Sequence, residues 1–246
     1  MNQNGSAEQH SIGQSLLLHL LPGVLIGSCY FAALPVLDRW GYPSMMALLV
    51  AMVLVLVPAE LGYLLLQGKK RNGRYSLQGV VLYRTSIPTW QYFLWVPVLL
   101  VVIGVIFSAM KPVDAFLQNS VFSLVPAFES GLGGGYSQEV LIKTYVMLAV
   151  FGAVVGPTVE EMYFRGFLLP RMGYAGKWAP LLHCFLFALY HLWTPWMFVT
   201  RTLGIVPLAY AVQRRNLNLG ITVHILMNLV DVVAGVVFIV GMGAII

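Results

Sequence analysis

Three short stretches hold side chains that could do chemistry together: PTVEEMYFRG at Pro157–Gly166, FALYHLW at Phe187–Trp193 and HILMNLVD at His224–Asp231. On a helix, residues four apart share a face, so Glu161 and Arg165 stand at ion-pair spacing. Glu160 points about 100° away from Glu161 and is left without a partner on its own helix. A buried, unpaired carboxylate suits a general base; the structural alternative for the stretch is an ion pair at a helix end. His191 falls four residues after Phe187, on the same face. It is either a hydrogen-bonded structural residue or a catalyst, and His183, two turns earlier, is the weaker candidate. His224 and Asn228 are again four apart, and Asp231 completes their stripe. A His and an Asn side by side can both donate to one developing oxyanion, or they can join helices through hydrogen bonds.

The elements that must position these residues are apolar. The chain of 246 residues is 59% hydrophobic and only 9% charged, with a mean hydropathy of +0.82. Soluble domains carry about 25% charged residues, so the composition predicts an integral, multi-pass membrane protein. Seven apolar runs approach the length of about 20 residues that a span needs: roughly 15–37, 44–67, 92–110, 139–169, 178–193, 196–213 and 218–246. Only Thr194-Pro195 separates the fifth and sixth, which form a hairpin or one broken segment. Residues 111–138 make the longest connection. Val113, Phe116, Leu117, Val121 and Leu124 fall near helical spacing there, as in a helix lying on the membrane surface. GLGGGYS at Gly131–Ser137 reads as a hinge, and Gly156-Pro157 as a kink that opens room beside Glu160.

The net charge is +5, and much of it sits in short clusters: Lys69, Lys70, Arg71, Arg74 and Arg84; Arg171 and Lys177; Arg214 and Arg215. Such clusters mark cytoplasmic loops and suit anionic lipid rather than nucleic acid. They put the N-terminus inside and the C-terminus outside. Cys29 and Cys184 lie far apart in apolar runs and suggest neither a disulfide nor a metal site. Ionisable residues within spans are costly and mark function by default; besides those above, the spans hold Glu60 and Arg201, which could pair. At about 1.5 Å per residue, Glu160 lies roughly 16 Å from Arg171, His191 roughly 21 Å from Lys177 and His224 roughly 13 Å from Arg215. Three separate helices thus carry their odd polar residue at similar depth.

EExxxR at Glu160, Glu161 and Arg165, FxxxH at Phe187 to His191 and HxxxN at His224 to Asn228 occur in that order. Together they resemble the three motifs of the CPBP family of CAAX prenyl proteases type II and bacteriocin-processing proteins. The resemblance implies an all-α, polytopic bundle of about seven or eight spans with a membrane-embedded active site. It divides the chain into a polar tail (1–14), N-terminal transmembrane helices (15–138) and a catalytic core (139–246). It further implies a glutamate-type intramembrane endopeptidase. Glu160 and His191 would activate water, His224 and Asn228 would form the oxyanion hole, and Glu161 and Arg165 would hold the site in shape, with Phe187 and Asp231 in support. Family members are usually drawn with eight helices, against the seven runs counted here. One Glu and two His could bind zinc, but no HExxH helix exists, so the expectation is no metal cofactor, with a zinc-dependent protease at the same site as the alternative. The implied substrate is a peptide or protein with a membrane-embedded or lipidated end, and the implied setting is a prokaryotic cytoplasmic membrane. A non-catalytic immunity or scaffold protein of the same family is the rival reading. A transporter using Glu60, Arg201 and Asp231 as a charge path is another, disfavoured by the lack of repeat symmetry.

Overall fold

A computed structural model describes residues 8–83 and 86–243; Arg84 of the first basic cluster lies outside them. Among the described residues the chain folds into seven helices with no strand. Five are long and apolar enough to cross a membrane: α1 (Ile12–Arg39), α2 (Ser44–Asn72), α3 (Thr89–Ser120), α4 (Gln138–Arg171) and α7 (Leu217–Gly243). Two shorter helices, α5 (Ala179–Tyr190) and α6 (Phe198–Arg214), lie between α4 and α7. The protein is an integral membrane helical bundle.

Local chemistry sets the helix ends. Ser11 caps α1 in a reciprocal box with Gln14, and Ser137 caps α4 by accepting from the Val140 N–H. Gly73 ends α2 in the left-handed conformation, at φ 70°, which glycine adopts without steric cost. Lys69, Lys70 and Arg71 occupy the last turn of α2, where cations meet the negative end of the helix dipole.

The basic clusters gather at one end of the bundle. The His10 N–H donates to the Arg171 carbonyl, and Leu217 N–H to that of Tyr83. Arg171 donates to the Val80 carbonyl at 3.2 Å, and Tyr210 to that of Lys177 at 3.2 Å. The opposite end joins Ser44 to Glu129, whose N–H donates to the Ser44 hydroxyl at 2.6 Å. Traced between these ends, α1, α2, α3, α4 and α7 run the full height. At 12 residues, α5 rises about 18 Å, short of a hydrocarbon core about 30 Å thick. It enters from the basic end, turns at Pro195–Met197 and returns as α6. The fifth and sixth apolar runs are therefore a hairpin whose tip stays inside the bundle.

Residues 111–120 correct one expectation. They continue α3 to Ser120 with Pro112 inside it, and no separate surface helix forms there. A proline in a lipid-embedded helix is tolerated because neighbouring groups satisfy the freed carbonyl.

α4 is the central element, with 44% of its most apolar window buried against 11% for α3 and α7. It is not a uniform helix. Wider, π-helical turns cover Leu148–Val155 and Glu161–Leu168, on either side of Gly156–Glu160. α2 widens in the same way over Met52–Leu61, around Pro58. Such bulges shift side chains out of regular register and recur at functional sites. Here they carry Glu60 and Glu161, and Glu160 stands immediately before the second widened stretch of α4.

Candidate active site

α4 turns Glu160, at the end of its regular turn, and Glu161 and Arg165, on the widened stretch that follows, into the bundle, where all three are buried. Arg165 Nη1 donates to Glu161 Oε1. The same oxygen lies 2.9 Å from Nδ1 of His224 on α7. A carboxylate accepts, so Nδ1 carries the proton and donates. Arg165 also stands over the Phe187 ring, 5.1 Å from its centroid, a cation–π contact strengthened by the absence of water. Glu161 thus ties α4 to α7, and Arg165 ties α4 to the hairpin.

Glu160 takes its contacts from other helices. Its Oε1 lies 3.2 Å from the Tyr190 hydroxyl on α5. Its Oε2 lies 3.9 Å from Nε2 of His224, beyond hydrogen-bond reach. His191 follows directly on the end of α5, and its Nδ1 is 2.8 Å from the Phe187 carbonyl. A carbonyl only accepts, so this nitrogen holds the proton and Nε2 is left as the basic one. Asn228 donates one amide hydrogen to the Gly152 carbonyl at 2.9 Å and retains a second.

Glu160, Arg165, His191, His224, Asn228 and Asp231 line one cavity of about 400 Å³. Three elements supply them: the middle of α4, the hairpin tip and one stripe of α7. Met45 and Phe128, from the end opposite the basic loops, extend its apolar wall. His183 does not join them. It is buried beside His19 of α1, with His183 Nδ1 3.1 Å from His19 Nε2.

Two partners differ from the sequence expectation. Glu60 does not pair with Arg201. It is wholly buried, and its Oε1 lies 2.8 Å from the Tyr190 hydroxyl. Arg201 instead donates to the Thr194 carbonyl at 3.1 Å and to its hydroxyl oxygen at 2.7 Å. It clasps the hairpin tip from α6. Among the described residues no three His, Cys, Asp or Glu side chains converge to hold a metal ion.

Residues 142–230 match the family model described as type II CAAX prenyl endopeptidase Rce1-like. That segment, little more than a third of the chain, is what the chain shares with the Rce1-like family. The Rce1-like segment contains all three motifs, from Glu160 to Asn228, and the CPBP resemblance rests on those same residues. The family is one of proteases, which supports peptidase activity at the family level. No curated protein and no solved structure matches the chain. Glu60, Tyr63 and the rest of α2 lie outside the Rce1-like segment, and Asp231 stands immediately after it.

Proposed function

We propose that the protein is an intramembrane endopeptidase of glutamate type. Its substrate is a peptide or protein with a membrane-embedded or lipidated end. One observation carries this reading: Glu160, His191, His224 and Asn228, from three separate elements, line a single cavity. Glu160 Oε2 takes one proton of a water as its oxygen attacks the scissile carbonyl carbon, while His191 Nε2 accepts a hydrogen bond from the other and orients it. General-base assistance of this kind is worth about 10²- to 10⁴-fold. The second amide hydrogen of Asn228 and Nε2 of His224 donate to the oxyanion. For His224 this requires a doubly protonated ring, with Glu161 accepting from Nδ1. The abstracted proton passes to the leaving amine as the tetrahedral intermediate collapses. Glu161 and Arg165 take no part in bond changes; they orient His224 and hold α4 against the hairpin. The mechanism uses no metal. Placement in a prokaryotic cytoplasmic membrane, with the basic loops inside, belongs to the same reading.

The test is substrate trapping. A Glu160→Gln variant keeps the size and loses the base, so the uncleaved substrate accumulates beside it in cells and is identified by mass spectrometry. The wild-type protein should cleave that substrate, with or without a strong chelator. Chelator-sensitive cleavage restored by zinc would replace the metal-free mechanism with a zinc-dependent one. Full cleavage by Glu160→Gln at normal abundance would reject the protease assignment of Glu160 altogether.

A further inference from the structure

Glu60 is a second buried carboxyl group beside the site, and neither the family segment nor any motif accounts for it. It sits on the widened turn of α2, two residues after Pro58. The Tyr190 hydroxyl stands between it and Glu160, 2.8 Å from Glu60 Oε1 and 3.2 Å from Glu160 Oε1. The other oxygen of Glu60 is buried without a hydrogen-bond partner. Among the described residues Glu60 forms no ion pair.

Proton counting decides what this arrangement can be. A phenol has one proton to donate. Between two ionised carboxylates it would serve one and turn a lone pair towards the other. A buried anion with neither a cation nor a full set of donors is very costly, and such a group keeps its proton instead. Glu160 has the His224 ring within 3.9 Å; Glu60 has no such group. The proton therefore belongs on Glu60.

We propose that Glu60 is a neutral carboxylic acid that donates from Oε1 to the Tyr190 hydroxyl oxygen, which in turn donates to Oε1 of ionised Glu160. This chain rests on the reading of Glu160 as the base. Glu60 and Tyr190 are positioning residues. They hold Glu160 by one oxygen and leave Oε2 for the reacting water. Neither of their protons is transferred during turnover: Glu160 gains its proton on Oε2 and loses it to the leaving amine. Tyr190 is itself fixed for the task. Its ring packs on Phe164, Phe187 and Trp193, with centroids 4.8, 5.8 and 5.6 Å away. On its backbone side, α1 approaches so closely that a Cβ on Gly23 would collide with the Tyr190 carbonyl.

The experiment has a spectroscopic arm that does not depend on catalysis. Infrared difference spectra of the full chain in nanodiscs, wild type against Glu60→Gln at neutral pH, should show the carbonyl stretch of a protonated carboxyl group. That band should persist in Glu160→Gln and shift in Tyr190→Phe, which removes its acceptor. In the kinetic arm, with a quenched-fluorescent prenylated CAAX peptide, Tyr190→Phe and Glu60→Leu should lower kcat about 10- to 100-fold, the loss of a hydrogen bond to a charged group, with KM nearly unchanged. Glu60→Gln, neutral and still able to donate to Tyr190, should stay within about fivefold of wild type. The absence of a Glu60 band overturns the proposal. So does a folded Glu60→Gln as inactive as Glu160→Gln. A fully active Glu160→Gln would refute the base assignment instead, and the band would still decide the state of Glu60.

Discussion

The network around Glu161 makes a prediction that its two partners differ in cost. Glu161 Oε1 accepts from both Arg165 and His224. Arg165, 0% exposed, has that oxygen as its hydrogen-bonding anion, and its Nε finds no acceptor. Arg165→Met therefore removes one of two donors to Glu161 and leaves His224 to satisfy it. Glu161→Leu strands the guanidinium and the Nδ1–H of His224 together. Removing one partner of a buried pair costs about 3–5 kcal/mol, and Glu161→Leu should fall in that range. Arg165→Met should cost less, about 1–3 kcal/mol, the desolvation penalty of a partly satisfied group. The double variant leaves no buried charge at the pair. Replacement of a buried pair by apolar groups is often neutral or better, so it should be more stable than Glu161→Leu alone. Equilibrium unfolding in mixed micelles would measure all three. The reasoning fails if Arg165→Met costs as much as Glu161→Leu, or if the double variant loses the sum of the two.

Three further outcomes follow from the geometry. Asn228→Ala should lower kcat about 10²- to 10³-fold, the loss of one oxyanion donor, with a smaller change in KM, measured on the trapped substrate. Gly23→Ala should push α1 off α5 and cost about 1–3 kcal/mol, read as a lowered Tm, because it adds volume where the helices already touch. Arg201→Ala removes both bonds to Thr194, so hydrogen exchange should quicken at residues 191–197 while α4 and α7 keep their protection.

The residues of the candidate site stand out in the sequence because they recur at helical spacing. Glu161 and Arg165, Phe187 and His191, and His224 and Asn228 are each four residues apart, and in an apolar chain such pairs stand out. Tyr190 was hidden by its own type: a tyrosine between Phe187 and His191 looks like aromatic packing, and only its hydroxyl gives it a role. Glu60 was visible as an oddity, but its partner lies 130 residues away, and no local pattern encodes such a distance. Hydropathy also could not tell a crossing from a hairpin, since α5 is as oily as a span and differs only in length. Lys111-Pro112 looked like the end of a helix. The chain continues through it because a missing amide hydrogen does not break a helix by itself.

The half-height hairpin has a consequence for how the protein is made. Its turn at Pro195–Met197 lies where lipid offers no hydrogen bonds, so its backbone must be satisfied by protein. α1 and α3 must therefore already stand in the bilayer when α5 and α6 fold between them. α7, with His224 and Asn228, leaves the ribosome after α5 and α6. The cavity wall closes only then, and a nascent chain holding Glu160 and His191 still lacks two of the four residues of the proposed site. On the proposed reading, a chain built in this order stays inert until α7 joins the bundle.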